Sequence, residues 1–241
     1  MSGRIALKIC RLPPTFDRLT VMQTESGDRT ERWRESYSRV RKDFLANPQS
    51  TNLKRLRLLG VDRLPRTARL LDVGAGDGNL CRTLSEMGFS QVWGLEYQAE
   101  LLALHPQRER VVAASAIHLP YRTGSMSAVI VMDVLHHLTP AQLPCCYAEI
   151  RRVLKDGAAL YLCEPAGTFF RKALTVLLMS PLSSVSTFAR DKRAMVAAER
   201  DTLAPWLASE RAVADRIVSH GFRLEFFRRC WLHSYGRLRA V

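Results

Sequence analysis

The stretch Leu70-Leu71-Asp72-Val73-Gly74-Ala75-Gly76-Asp77-Gly78-Asn79-Leu80 leaves this chain few folds to choose from. Its apolar start reads as a buried strand, and three alternate glycines force a tight turn. Leu80, Leu84 and Met87 then open a helical apolar pattern. Strand, glycine loop and helix in this order give an α/β unit with a parallel sheet. Glycine is required in such a loop because a side chain would hold a ligand off the backbone and because a turn into a helix often needs positive φ. A ligand is therefore expected against this loop.

Spacing narrows the ligand. A dinucleotide loop reads G-x-G-x-x-G, whereas here the third glycine comes one place early, at Gly78, and Asn79 stands where that fingerprint has glycine. The helix ends at Gly88, and a strand over Gln91 to Leu95 delivers Glu96, followed by Tyr97. A carboxylate at the end of a second strand suits two vicinal ribose hydroxyls, since it accepts hydrogen bonds from both. That pairing also fits a nicotinamide cofactor, so the residues beyond it must arbitrate.

A third strand is read at Val111 to Ala114, followed by Ser115-Ala116-Ile117-His118-Leu119-Pro120-Tyr121. A fourth lies in the run that follows, from Gly124-Ser125-Met126-Ser127-Ala128-Val129-Ile130-Val131-Met132 into Asp133-Val134-Leu135-His136-His137-Leu138. Thr139-Pro140 reads as a helix start with Leu143, Tyr147, Ile150 and Leu154 as its buried stripe. Gly157 is expected to end that helix, and Ala158 to Cys163 is a fifth strand delivering Glu164-Pro165.

From about Arg69 to Pro165 this order of motifs resembles the class I S-adenosylmethionine-dependent methyltransferases of the small-molecule type. The resemblance implies a doubly wound, mostly parallel, Rossmann-like α/β sheet with S-adenosylmethionine as cofactor. Asp72 would help hold the cofactor, Gly74, Gly76 and Gly78 would border its amino-acid end, Glu96 its ribose and Ser115 its adenine, with Ala75, Tyr97, Ala116 and Asp133 completing the set. Two residues depart from the pattern: Ser115 replaces the usual adenine-contacting aspartate, and Met126-Ser127 replaces a Phe-Asp pair. A hydroxyl still accepts one hydrogen bond from an amine, so weaker rather than absent binding is expected. His136 and His137 lie at the rim from which a methyl acceptor approaches, and an imidazole titrating near neutral pH could take a hydroxyl proton there. Oxygen is the expected acceptor atom, and no metal ligand set is expected.

Outside this region the chain is basic. Lys and Arg exceed Asp and Glu by 8 over residues 1–66 and by 8 over 151–241, while 67–150 carries an acidic excess of 3, within a net charge of +13. Such flanks suit nucleic acid, anionic lipid or an anionic substrate, or form a merely solvated surface. Residues 1–66 are expected to form an N-terminal arm and helices, with Trp33, Tyr37, Val40, Arg41 and Phe44 on one helix and a second helix over Asn52 to Leu59; residues 67–241 form the main domain. Residues 168–209 read as a helical insert and substrate lid, with Phe169, Phe170, Ala173, Leu174, Leu177 and Leu178 on one face beside Arg171 and Lys172. Ser209 is expected to cap a last helix, Phe222 to Phe226 to form a sixth strand, and a seventh strand to be very short or missing.

Six cysteines without C-x-x-C spacing and the lack of an 18-residue apolar run give the expectation of a soluble cytoplasmic protein. A small, lipophilic or anionic acceptor is the expected substrate, with a peripheral membrane contact as a further expectation. Nucleic acid is the weaker alternative: no N/D-P-P-[YF] run follows the fourth strand, and aromatics do not interleave with the basic residues as base stacking would require. A cofactor-binding member of the fold without catalysis is the other alternative. The oligomeric state is left open.

Overall fold

The computed structural model describes residues 48–98, 101, 105, 110–180, 189–190, 193, 196–197 and 199–241. The arm over residues 1–31 and the helix carrying Trp33 and Tyr37 lie outside the described residues. The elements are α1 (Pro48–Leu59), β1 (Arg69–Val73), α2 (Asn79–Glu86), β2 (Gln91–Glu96), β3 (Val111–Ala113), β4 (Met126–Met132), α3 (Leu143–Val153), β5 (Leu154–Pro165), α4 (Phe169–Met179), α5 (Arg200–Val218), β6 (Phe222–Arg229) and β7 (His233–Ala240).

Seven strands form one sheet in the order β3-β2-β1-β4-β5-β7-β6. Pairings from β3 through β5 are parallel, so Val73, Glu96, Ala113, Met132 and Pro165 all end at one edge. The order reverses between β1 and β4, which opens a ligand crevice at that edge. The inner strands are buried on both faces, as parallel strands with helices on either side must be. Leu71, Val73, Val129 and Val131 join a core with Tyr147, Ile150, Trp206, Val213 and Ile217. Leu70, Ala128 and Ile130 face the opposite core with Leu56, Leu59, Cys81 and Leu84. Alternate residues of one strand thus serve two cores, and α1 is built into the second of them.

Four local expectations are corrected. The seventh strand is neither short nor missing: β7 runs eight residues, His233–Ala240, and is antiparallel to both β5 and β6. Its alternation of half-buried and buried positions was masked by Ser234, Gly236 and Arg237, which do not read as a strand from composition. Ser209 does not cap the last helix. α5 begins at Arg200 and passes through Pro205, because Leu203, Trp206, Leu207, Val213 and Ile217 are buried along one stripe. That apolar gain outweighs the backbone hydrogen bond that proline removes.

Thr139-Pro140 makes a turn rather than a helix start. The Thr139 carbonyl accepts from the Gln142 and Leu143 N–H groups, and α3 starts at Leu143 with Pro144 in its first turn. Gly157 likewise does not end α3, which stops at Val153. It sits at φ +73° in the irregular start of β5, where pairing with β4 skips from Leu154 to Ala159.

Candidate functional site

The glycine loop crosses the carboxyl end of β1. Gly74, Gly76 and Gly78 stand at φ +78°, +54° and +83°, a region that side chains disfavour. At Gly74 there is a second reason for glycine: a Cβ would lie 2.3 Å from Val134 Cγ2, on the segment that follows β4. Gly74 N–H and Ala75 N–H both donate to the Leu95 carbonyl, at 2.8 and 2.9 Å, which ties the loop to β2. Asp77 accepts from the Asn79 side-chain amide at the start of α2. The asparagine that breaks the dinucleotide fingerprint thereby helps fasten the loop.

Glu96 and Asp72 are both buried under this loop. Glu96 Oε2 accepts from Gly76 N–H and Oε1 from Gln98 N–H, each at 2.8 Å. A carboxylate offers about four lone-pair positions, so it keeps acceptor capacity for hydroxyls. Asp72 has the Cys81 thiol as a donor, 3.4 Å away. Burial pushes its carboxyl up to about 7. Gln98 Oε1 is buried beside Glu96 with no hydrogen-bond partner among the described residues, a group that no motif signalled.

Beyond β3, the Ser115-to-Tyr121 turn is pinned from α3. Arg152 binds the Tyr121 and Leu119 carbonyls and Glu149, which in turn accepts from Leu119 N–H. The Ser115 hydroxyl accepts a long 3.4 Å bond from Ile117 N–H, and Ala116 is buried. Tyr97 is about half exposed. These residues end at the same edge of the sheet as the loop.

Asp133 differs from the rest of the expected set. It holds φ +57°, and its carboxylate meets Arg55 Nη1 at 3.0 Å and His233 Nε2 at 3.3 Å. Burial would raise its carboxyl, but the hydrogen bond to His233 and the charge of Arg55 hold it well below the usual range. Asp133 therefore clamps α1 and β7 to the end of β4. Neither Arg55 nor His233 had a sequence signal, since they lie 78 and 100 residues from Asp133 in the chain.

The histidine pair occupies a short 3-10 helix, Leu135–His137, next to the loop. His136 is 4% exposed and His137 is exposed, with ring centroids 4.1 Å apart. His136 Nδ1 lies 2.9 Å from Glu164 Oε2, while Glu164 Oε1 accepts from Val134 and Leu135 N–H groups. His136 Nε2 faces Glu199 Oε2 at 3.9 Å. Burial alone would lower the imidazole, but its hydrogen bond to Glu164 and the charges of Glu164, Glu199 and Asp133 raise it above its ordinary value. Glu164 could have been suspected as the end of a fifth strand; Glu199 could not.

α4 leaves the same edge after β5. Thr168 caps it by accepting from Arg171 N–H and also hydrogen-bonds the Trp231 carbonyl. No residue of α4 is buried: Phe169 is 88% and Val176 71% exposed, and Trp231 beside Phe170 is 75% exposed.

The site fits S-adenosylmethionine on three counts: side-chain-free glycines along one wall, a buried carboxylate with spare acceptor sites, and a second buried carboxylate without a cation. Residues 71–162 match the family model described as "Methyltransferase domain". The malonyl-[acyl-carrier protein] O-methyltransferase of Geobacter sulfurreducens is 34% identical over 133 residues, covering 52% of this chain and 48% of that protein. Squalene methyltransferase 1 of Botryococcus braunii is 30% identical over 122 residues, 47% of this chain and 32% of that protein. The chain thus spans half or less of the length of these curated relatives. Among solved structures, a SAM-dependent methyltransferase from Aquifex aeolicus superposes with a TM-score of 0.58 at 17% identity, covering 85% of this chain and 98% of that one. One from Archaeoglobus fulgidus gives 0.56 at 17% identity, covering 80% and 79%. Both likenesses are of fold.

Proposed function

We propose that this chain, whose residues 71–162 match a methyltransferase domain, is an enzyme of the class I superfamily that uses S-adenosylmethionine to methylate a small lipophilic or anionic acceptor, with oxygen as the receiving atom. The observation that carries the proposal is Glu96, held by Gly76 N–H at the crevice where the sheet order reverses. When bound, the cofactor supplies an activated methyl on a sulfonium, a reaction that needs alignment and exclusion of water more than covalent help. Asp72 faces its cationic amino-acid end, Glu96 and Gln98 its ribose, and Ser115, Ala116 and Tyr97 its adenine. Asp133 acts on the site indirectly, by fixing the segment that carries the histidines.

A hydroxyl acceptor must lose its proton as its oxygen attacks. His136 is already committed to Glu164, so His137, the exposed member of the pair, is the group placed to take it. The exposed aromatic and aliphatic side chains of α4 begin four residues beyond β5, with Lys172 exposed among them. They suit an apolar acceptor at a lipid surface, which also agrees with the basic charge of residues 151–241. The names of two relatives agree with such an acceptor, one a squalene methyltransferase and the other a malonyl-[acyl-carrier protein] O-methyltransferase.

The test is transfer of radiolabelled methyl from S-adenosylmethionine to a panel of acyl, isoprenoid, phenolic and tRNA acceptors. Label in an organic-soluble product supports the proposal. Label in tRNA alone would replace it by the nucleic-acid reading, and cofactor binding without transfer to any acceptor would replace it by the non-catalytic one.

A further inference from the structure

We propose that His136, His137 and Glu199 form a site for a borderline divalent cation of the Zn²⁺ type at the acceptor side of the crevice. One donor atom from each of the three lies within 4.8 Å of the others, although Glu199 is 62 residues from His137 in the chain. Two imidazoles and one carboxylate are a ligand set that such ions take, leaving a fourth position open.

The hydrogen bond behind His136 is the second observation. Its Nδ1 is bound to Glu164 Oε2, and Glu164 is itself fixed by two backbone N–H groups. A carboxylate behind a histidine sets the tautomer and presents the other nitrogen as the donor. That nitrogen, Nε2, points at Glu199 across 3.9 Å, too long for a hydrogen bond. An ion bound at about 2.0–2.1 Å holds neighbouring donors about 3.3 Å apart in a tetrahedron, so the pair must close by about half an ångström. His137, exposed and with its ring 4.1 Å from that of His136, completes the set with a donor atom that already lies within 4.8 Å of the other two.

The charge around the cluster favours a cation. Glu164, Glu199 and Asp133 face it with Arg55 and Arg171 as the permanent counter-charges; His233 stands beyond, against Asp133. One negative charge is left over among these groups, and a bound ion would offset it.

The site sits next to the cofactor loop, because Val134, two residues before His136, packs on Gly74. Its chemical consequence rests on the methyl-transfer reading. With the ion bound, the open position takes an oxygen of the acceptor, so a carboxylate, phenol or enolate would be favoured and the ion would acidify that oxygen; without the ion, His137 acts directly as the base.

The experiment titrates Zn²⁺ into the chelator-stripped full chain against a competing chromophoric chelator, and repeats it with Co²⁺ to read its visible absorption. One equivalent of Zn²⁺ is expected, with affinity falling at least tenfold in His137→Ala and in Glu199→Gln, and 10- to 100-fold in Glu164→Gln. Circular dichroism checks that each variant is folded; His137→Ala replaces an exposed side chain and keeps the test decisive if the others fail. No stoichiometric Zn²⁺ binding, or undiminished binding in His137→Ala, would overturn the site. S-adenosylhomocysteine calorimetry on the same samples separates the two readings: ion binding without nucleoside binding sinks the cofactor assignment alone, and the reverse sinks the ion site alone.

Discussion

Around β1 and β2 the backbone makes the site, whereas around the end of β4 and α4 the side chains do. In the first region, three positive-φ glycines, N–H groups and two buried carboxylates face the crevice, and nearly every hydrogen bond is between near neighbours or adjacent strands. In the second, His136 depends on Glu164 and Glu199, Asp133 on Arg55 and His233, and α4 exposes its apolar side chains. A reaction with one cofactor needs one backbone shape, so its residues cluster in sequence. An acceptor pocket is assembled from distant elements by charge and packing, and its sequence trace is scattered.

The largest contrast is expected at the histidines. His136→Ala leaves Glu164 and Glu199 buried without their shared partner and should lower stability by about 3–5 kcal/mol, read by chemical denaturation. His137→Ala changes an exposed residue and should cost less than about 0.5 kcal/mol while lowering turnover. Equal stability losses would mean that the two histidines share one structural role.

In the backbone-built half, Gly74→Ala forces a left-handed residue onto Val134 and should cost about 2–4 kcal/mol, with loss of cofactor binding. If the variant is stable and binds normally, the loop is not shaped by that contact.

How far each half was legible follows from the same contrast. Glu96, the glycines and the succession of β1, α2 and β2 could be read because spacing along one βαβ unit fixes them. β7 and α5 were misread because tertiary burial overrides local signals: Gly236 and Ser234 sit in a strand, and Pro205 sits in a helix. Asp133 entered the expected cofactor set through the resemblance alone, and only the fold reveals its partners Arg55 and His233. Gln98 and Glu199 have no motif at all.

A smaller effect concerns pH. With its carboxyl pushed up to about 7, Asp72 stays protonated in the free fold below that value. The folded state therefore holds an extra proton from the unfolded value near 4 up to about 7, and stability from this group falls as pH rises through that window. A cationic ligand needs the ionised form, so affinity for S-adenosylmethionine should rise about tenfold between pH 6 and 8. In Asp72→Asn this rise should vanish; its persistence would assign the dependence to another group.

The smallest effect on the fold is expected on α4. Phe169→Asp with Val176→Asp should change stability by less than about 0.5 kcal/mol, because both side chains are already exposed. Sedimentation with anionic phospholipid vesicles should nevertheless drop in this variant and drop again at high salt. Unchanged sedimentation would remove the lipid surface from the acceptor proposal.

The most direct measurement is calorimetric titration with S-adenosylhomocysteine. The wild-type chain is expected to bind one equivalent, and Glu96→Ala to bind about 1.5–3 kcal/mol more weakly, through loss of charge-assisted bonds to the ribose hydroxyls. Absence of binding by the wild type, or NADH binding as tightly as S-adenosylhomocysteine, would contradict the assignment of the glycine loop and Glu96 to this cofactor.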